Sequence, residues 1–171
     1  MTITNKNIKI TQAKVRDAES IINHLNKVGG ETNNLTYGRN EFGYTIEREK
    51  EFLSNPKNTF SFFIAKNENG EVIAVATCFP KKRKWLSHIS ELGISVQKKY
   101  WRQGIGNILM DNIIKNCKKS GVEKIELRVN AENEKAISLY KKKGFKIEGL
   151  LKKEKKIDNI YYDTLIMAKF L

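Results

Sequence analysis

Several residue types are scarce in this chain of 171 residues, and each scarcity excludes a class of protein. The two cysteines, Cys78 and Cys117, lie far apart and have no histidine at ligand spacing, so neither a disulfide framework nor a zinc site is expected. No apolar run reaches the roughly 18 residues that a membrane span needs. Because residues 1–6 contain no apolar leader, we expect a cytoplasmic protein with buried, reduced cysteines.

Negative charge is also scarce. The 32 Lys and Arg residues outnumber the 19 Asp and Glu residues, which gives a formal net charge of +13. Such an excess first suggests a nucleic-acid partner, yet only six of these cations are Arg, the residue that binds phosphates and bases bidentately. Residues 81–84 and 141–156 hold most of the excess. We therefore expect a solvated surface and neither nucleic acid nor membrane as partner, with a basic nucleic-acid-binding protein as the remote alternative.

The sequence does contain a regular alternation of strand and helix patterns over a single domain, residues 1–171. Apolar spacing predicts helices, with Asp17 and Thr45 as caps of the first two, over residues 18–28, 46–54, 104–119 and 134–143. Alternating or β-rich runs predict strands over residues 8–13, 60–64, 72–79, 88–96, 125–130, 145–147 and 161–170. This order predicts a mixed α+β fold with about seven strands and four helices.

The most informative segment precedes the long third helix. It reads Trp-Arg-Gln-Gly-Ile-Gly at residues 101–106 and places Gly104 and Gly106 at a helix N-terminus. The unpaired backbone N–H groups of a helix N-terminus attract anions, and glycine lets a phosphate approach the main chain. A Walker loop would need Gly-Lys-Ser/Thr, and a Rossmann fingerprint would need a small residue where Leu109 stands. We interpret the segment as a pyrophosphate cradle with Arg102 as an added cation; glycines that only begin a helix are the alternative.

This segment resembles the Arg/Gln-x-x-Gly-x-Gly/Ala motif of the GNAT superfamily of N-acetyltransferases, from which Trp101 departs at the first position. Residues 133–145 resemble the downstream motif of the same superfamily, with Asn133, Tyr140 and Gly144 at matching positions. The closing residues 163–168 resemble the last strand of the small-amine and amino-acid acetyltransferases. The resemblance spans nearly the whole chain and implies the GNAT fold, a central, mostly antiparallel seven-stranded sheet flanked by about four helices.

The resemblance implies transfer of an acetyl group from acetyl-CoA to a primary amine by direct attack in a ternary complex. An ammonium of pKa about 10 must lose a proton, the thioester carbonyl must be polarised, and the departing thiolate needs a donor. The resemblance implies Tyr140 as that donor and Glu91 as the base, with His88 as the alternative base because imidazole exchanges protons near neutral pH. His24 is interpreted as a surface or boundary residue.

The cofactor contacts that the resemblance implies are Ile94, Val96, Trp101, Arg102, Gln103, Gly104, Ile105, Gly106, Asn107, Asn133, Tyr140, Lys142 and Lys143, without a metal. The acceptor pocket is expected between the first two helices and the last strands, where Glu41, Tyr162 and Asp163 would contact an amine and Arg39 a carboxylate. The acceptor is then an amino acid or a polyamine-like molecule, and a protein N-terminus or lysine is the alternative. A homodimer is suggested by analogy alone.

Overall fold

The computed structural model describes residues 7–171, which contain seven strands and five α-helices. The strands are β1 (Lys9–Gln12), β2 (Phe62–Lys66), β3 (Val72–Pro80), β4 (Ile89–Val96), β5 (Lys124–Asn130), β6 (Lys146–Ile157) and β7 (Ile160–Phe170). The helices are α1 (Ala18–Gly29), α2 (Ile46–Ser54), α3 (Pro56–Thr59), α4 (Ile105–Lys119) and α5 (Glu134–Lys142). The mixed α+β class and the four longer helices are confirmed, and the single-turn α3 is an addition.

One sheet of strand order β1-β2-β3-β4-β5-β7-β6 contains all seven strands. Neighbouring strands are antiparallel, as expected, except for β4 and β5, which are parallel. The parallel pairing runs only from Ile89↔Lys124 to Glu91↔Glu126, whereas β3 stays paired with β4 as far as Val96. A gap therefore opens between β4 and β5 beyond Glu91, and this gap positions the candidate site.

The two faces of the sheet carry separate cores. On the α4 face, α4 and α5 pack against the sheet through residues such as Leu109, Met110 and Tyr140. On the α1 face, α1 and α2 pack through residues such as Ile21 and Leu53. Side chains alternate along a strand, so the last six residues of β4 present three side chains to the α4 face and three to the α1 face. These are Leu92, Ile94 and Val96 on the α4 face and Glu91, Gly93 and Ser95 on the α1 face.

The helix ends follow the predicted capping only in part. Thr45 accepts a hydrogen bond from the backbone N–H of Arg48 at 3.2 Å, which confirms it as the cap of α2. Asp17 occupies the N-cap position of α1 but makes no capping bond. Its carboxylate instead accepts the backbone N–H of Lys14 and pairs with Lys66 of β2, so it fixes the turn before α1 against the sheet.

The last hairpin differs most from expectation. The pattern at residues 145–147 predicted a short strand, but β6 has twelve residues and pairs with β7 along most of its length. Its register shifts between Leu151 and Lys155, where Lys153 adopts a positive φ of 53°. A lysine-rich run lacks the alternation that identifies a strand, and β6 tolerates lysine because it lies at the edge of the sheet and is largely exposed.

Among residues 7–171, no helix is both long and apolar enough to cross a bilayer, and no group of His, Cys, Asp and Glu side chains could hold a metal ion. Cys78 of β3 and Cys117 of α4 are buried free thiols, as expected.

Candidate active site

The gap between β4 and β5 exposes one edge of β4. Gln97, which follows β4, donates its backbone N–H to Ile73 of β3 at 2.9 Å. Backbone groups alternate in direction along a strand, so the odd-numbered residues of β4 face β3 and the even-numbered residues face the gap. The backbone groups of Ile94 and Val96 therefore point into the gap. An extended ligand lying there would pair with β4 as another strand does.

Trp101 modifies this edge. Its indole N–H donates to the Val96 carbonyl at 2.7 Å, and its side chain is 37% exposed. The Val96 carbonyl thus already accepts one hydrogen bond, and the expected contact between Val96 and the cofactor stays a prediction for its backbone N–H and for the second lone pair of its carbonyl. Trp101, at the position that departs from the superfamily motif, holds the end of β4 to the loop that follows it.

The predicted anion cradle lies directly after this loop. Arg102 and Gly104 have positive φ angles of 64° and 81°, and α4 begins after Gly104 without a side-chain cap. Left-handed residues of this kind let successive N–H groups converge on one anion. The first helical bond joins the N–H of Ile108 to the carbonyl of Gly104. The N–H groups left without an acceptor inside the helix are those of Ile105, Gly106 and Asn107.

The glycines keep this helix end open. A Cβ at Gly104 would meet nothing within 4 Å. A Cβ at Gly106 would lie 3.5 Å from Leu139 Cδ2 and 3.9 Å from Ile94 Cδ1, which is ordinary contact. Gln103 donates its amide to the carbonyl of Lys99 at 3.3 Å, and its buried Oε1 has no partner among the described residues. The loop thus offers open space and backbone donors, as a pyrophosphate requires.

Helix α5 brings Tyr140 into the same core as Ile94. Tyr140 is 6% exposed, and burial raises the pKa of its phenol to about 12. The phenol is therefore protonated at neutral pH and is able to donate a hydrogen bond. Asn133 accepts the backbone N–H of Ala136 at 3.2 Å, so its oxygen caps α5 and only its amide N–H₂ group is left for a ligand.

The two lysines expected near the phosphates differ in their surroundings. Lys143 Nζ lies 2.6 Å from Asp111 Oδ1, and this ion pair joins α5 to α4. Lys142 is exposed and forms no ion pair within residues 7–171. Lys142 is thus the better placed of the two to meet an additional anion.

A cleft of about 700 Å³ lies on the α1 face, at the point where β4 leaves β5. Glu91 and Gly93 of β4 line it together with Thr77 and Phe79 of β3. The remaining lining residues are Pro80, Lys81, Lys82, Arg83, Leu86, Leu92 and Arg128. The cleft and the gap thus meet at the same segment of β4, so that an acceptor and a ligand in the gap can reach each other.

Of the two candidate bases, only Glu91 lines the cleft. Its carboxylate belongs to the cleft lining and is exposed. His88 is an exposed residue before β4 begins, and its imidazole is not part of that lining. A base must reach the proton that it removes, and only Glu91 shares the cleft.

The four residues expected to bind the acceptor do not line the cleft. Glu41 accepts the backbone N–H of Gly38 at 2.8 Å, and Asp163 accepts that of Lys153 at 2.8 Å. Tyr162 accepts a hydrogen bond from the Asn33 amide at 3.4 Å. Arg39 packs beside Gly30, where a Cβ would lie 2.5 Å from its Nε. Glu41 therefore bonds within the segment after α1, and Tyr162 joins that segment to β7. Asp163 instead stabilises the β6–β7 hairpin.

Arg128 lines the cleft but was not predicted from the sequence. The prediction of the β5 strand was correct, but the side chain joins Glu91 only because β5 and β4 are parallel neighbours with Glu91 opposite Glu126. Alternation along β5 then places Arg128 on the α1 face. The position of Arg128 in the sequence indicates a place in the cleft only once the register between β4 and β5 is known.

His24 is another residue that the structure corrects. It is 1% exposed rather than a surface or boundary residue, and its Nε2 lies 2.9 Å from Ser95 Oγ of β4. Burial, and then the charge of Lys27, lower the pKa of His24 to about 3. The neutral imidazole thus seals the α1 face of β4 at Ser95, while the same face is open at Glu91.

Comparison with known proteins agrees with this geometry. The profile of the Acetyltransferase (GNAT) family matches residues 31–145, more than half of the chain. The chain is 35% identical over 102 residues to the L-amino acid N-acetyltransferase AaaT of Escherichia coli K12 and 34% identical over 97 residues to the ribosomal protein bS18-alanine N-acetyltransferase of the same strain. These matches cover 59% and 57% of this chain and 63% and 62% of the relatives, which is less than two thirds of their length.

A solved structure of the same family is similar to this chain over nearly its whole length. The GNAT-family acetyltransferase of Streptococcus pneumoniae superimposes with a TM-score of 0.89 at 28% identity, over 96% of this chain and 99% of that chain. With its splayed β4–β5 pair, its uncapped glycine-rich helix end and this matching profile, the chain belongs to the acetyltransferase (GNAT) family.

Proposed function

We propose that the protein is an N-acetyltransferase that moves the acetyl group of acetyl-CoA to the primary amine of a small molecule. One observation carries the proposal: the donor-side gap at the edge of β4 and the acceptor-side cleft on its α1 face meet at the same segment of this strand. Family membership supports the reaction class. The backbone donors at the gap and the carboxylate in the cleft are the groups that this reaction needs.

On the donor side, the residues that would hold acetyl-CoA suit its chemistry. The molecule supplies the acetyl group as a thioester, which passes to the amine as the CoA thiol is released. The first-turn N–H groups of α4, with Gly104 and Gly106, would bind its pyrophosphate, and Arg102 and Lys142 would add positive charge. The backbone of Ile94 would pair with its extended arm, as a strand pairs with a peptide.

On the acceptor side, Glu91 acts as the base. Its carboxylate takes the proton of the bound ammonium through a water molecule, which leaves a nitrogen lone pair free to attack the acetyl carbon. The backbone N–H of Ile94 donates to the carbonyl oxygen as negative charge develops there. The Tyr140 hydroxyl, kept protonated by burial, donates to the departing sulfur.

A small molecule fits the cleft better than a protein segment does, since about 700 Å³ lies in the range of small-molecule sites. The relative AaaT is named for L-amino acids, which supports an amino acid as the acceptor. A protein N-terminus is the second candidate, because the other relative is named for an alanine of a ribosomal protein. The indole of Trp85, 89% exposed next to the cleft, would suit contact with a larger acceptor.

A thiol-release assay with acetyl-CoA tests the proposal. The panel contains free amino acids, polyamines, and peptides with free N-termini, and mass spectrometry identifies each acetylated product. We expect amine-dependent release with a small amine. Release with peptides alone would favour the second candidate, and release no faster than the amine-free control with every acceptor would reject the proposed activity.

A further inference from the structure

The cleft on the α1 face has an unequal charge distribution. Its lining contains a single carboxylate and four cationic side chains. The carboxylate is Glu91, and the cations are Lys81, Lys82, Arg83 and Arg128. An ammonium needs only the carboxylate, so the cations call for a separate explanation.

Two of the four cations are balanced by acidic residues outside the lining. Lys81 pairs with Glu126 of β5, and Arg128 pairs with Glu154 of β6 through one terminal nitrogen. Lys82 and Arg83 are exposed, and neither forms an ion pair within residues 7–171. The charges without a partner in the cleft are therefore one negative group on β4 and two positive groups on the loop before it.

The strand register places positive charge on both sides of Glu91. Glu91 lies between Phe79 of β3 and Glu126 of β5. Arg128 follows two residues after Glu126 on the same face of β5, and the loop with Lys82 and Arg83 continues directly from β3. Glu126 itself is paired with Lys81 and Lys124. An ammonium at Glu91 thus has mainly cationic side chains toward β5 and toward the loop.

Arg128 is the best suited of these cations to select a ligand. A guanidinium has five N–H donors in a planar fork, so its bond with Glu154 leaves others for an anion. The ion pair also restrains the side chain, which is 57% exposed at the cleft. Phe79 and Leu86 of the same lining provide apolar contact for the rest of a small molecule.

We propose that the acceptor is an amine that itself carries a negatively charged group. Its ammonium binds Glu91, and its anionic group binds Arg128 with Lys82 and Arg83, which makes Arg128 a specificity-determining residue. The inference rests on the proposed acetyltransferase function. It excludes polyamines, whose second ammonium would meet the cations, and peptide N-termini that lack a nearby acidic group.

Matched pairs of acceptors test this charge requirement. Each pair differs in one anionic group: the side-chain carboxylate in aspartate against asparagine, the α-carboxylate in alanine against alaninamide, and the phosphate in phosphoethanolamine against ethanolamine. We expect the more negative member of a pair to have a kcat/KM about 10- to 100-fold higher, the ratio that one charge-assisted hydrogen bond gives. The first two pairs report a carboxylate and the third a phosphate, so the favoured pair identifies the anion.

Variants of Arg128 test whether this residue causes the preference for the more negative acceptor. In Arg128→Gln we expect the preference within the favoured pair to fall about tenfold, through a higher acceptor KM, while the KM for acetyl-CoA stays unchanged. Arg128→Lys keeps the charge but loses the fork, so an intermediate preference is expected. Arg16→Gln is the matched control, because Arg16 is exposed and does not line the cleft.

Equal kcat/KM values within all pairs, or a preference for alaninamide or spermidine, would overturn the inference while leaving the acetyltransferase function intact. An unchanged preference in Arg128→Gln would overturn the role of Arg128. If no amine supports thiol release, the proposed function fails and the inference fails with it. Calorimetric titration of both members of each pair in the presence of CoA adds a readout independent of turnover, and equal binding within all three pairs also counts against the proposal.

Discussion

The two faces of β4 build their halves of the site in different ways. In the proposed site, the donor side relies mainly on backbone groups, those of Ile94 at the gap and those of the first turn of α4. The side chains of Tyr140, Arg102 and Lys142 add to them. On the α1 face, the acceptor side uses side chains that come from β3, the following loop, β4 and β5. One half of the site is thus a property of chain conformation, and the other half is a property of residue identity.

This difference between backbone and side-chain groups explains why a short sequence motif can indicate the donor side but not the acceptor side. A backbone cradle needs only glycines and a helix start within a few residues, so it leaves a compact motif at residues 101–106. The cleft needs side chains such as Thr77, Arg83, Glu91 and Arg128, which are brought together only by the sheet register. The acceptor side is therefore the half in which members of one fold can diverge.

Substitution of Glu91 tests the acceptor half most severely. We expect Glu91→Gln to lower kcat/KM by about 10²–10³-fold, because an amide cannot accept the ammonium proton. The loss should be greatest at low pH, where fewer acceptor amines are already neutral. Steady-state kinetics over pH 6 to 10 would measure it.

Calorimetric CoA affinity is the control and should not change in this variant, because Glu91 lies on the other face. An unaltered pH profile in Glu91→Gln would contradict the role of Glu91 as the base and would leave the cleft without a proposed base. Loss of activity in His88→Gln would then assign the role to His88.

Removal of the Tyr140 hydroxyl tests the chemistry on the donor half. We expect Tyr140→Phe to lower kcat by about 10- to 100-fold while the KM for acetyl-CoA changes little, since the ring still fills the core. Burial raises the pKa of this phenol to about 12, so it should cause no loss of activity below about pH 10. Stopped-flow and steady-state assays would separate the effect on kcat from that on the KM for acetyl-CoA. An unchanged kcat would reject the role of Tyr140 as hydrogen-bond donor to the sulfur.

His24 tests a second difference, between the two ends of β4 on its α1 face. His24 covers Ser95 at one end, whereas Glu91 at the other end lines the open cleft. Burial lowers the pKa of His24 to about 3, so only the unfolded chain takes up a proton between about pH 6.5 and 3. Stability from this group is therefore complete above pH 6.5 and declines as the pH falls. At pH 5 the loss amounts to about 2 kcal/mol.

Urea unfolding at pH 7.5 and pH 5 would measure this loss. In His24→Gln, which keeps a polar group for Ser95 but does not titrate, we expect the difference between the two pH values to shrink by about 2 kcal/mol. The same pH dependence in both proteins would show that the imidazole is not sealed from water.

The smallest expected effect is that of Gly106→Ala. The added Cβ would make ordinary contact with Leu139, and alanine favours a helix, so the fold should persist. Crowding of the first-turn N–H groups should weaken acetyl-CoA binding about fivefold, with the acceptor KM unchanged. Calorimetry would measure this, with Gly149→Ala of β6 as the matched control because its Cβ would also meet only an ordinary contact. Unchanged affinity would show that backbone access at this glycine does not matter.

The sequence was sufficient to predict the fold and the family because both leave local patterns. Apolar spacing identified α4 and α5, and the two motifs identified the superfamily, which the family profile confirms. Local patterns failed where the surroundings decide the outcome. His24 lies at helical spacing from the apolar Ile21 and Val28, and its polar side chain alone led to the surface interpretation, yet it is buried against Ser95. The lysine run after Gly144 did not indicate the long strand β6.

The acceptor residues show the same limit. Glu41 and Asp163 have the chemistry to bind an ammonium, but the folded chain uses their carboxylates to bind the backbone N–H groups of Gly38 and Lys153. Residue type alone does not reveal which carboxylates are already hydrogen-bonded to the backbone of the same chain. The charge and register of neighbouring strands are needed as well.

The lysine-rich strand β6 has a consequence for how two molecules meet. It forms one edge of the sheet, where a long row of unpaired backbone groups invites another strand. Another β6 aligned antiparallel would set lysine against lysine, because the strand carries Lys146, Lys152, Lys153, Lys155 and Lys156. The positive excess that first suggested a nucleic-acid partner thus protects the molecule against edge-to-edge polymerisation.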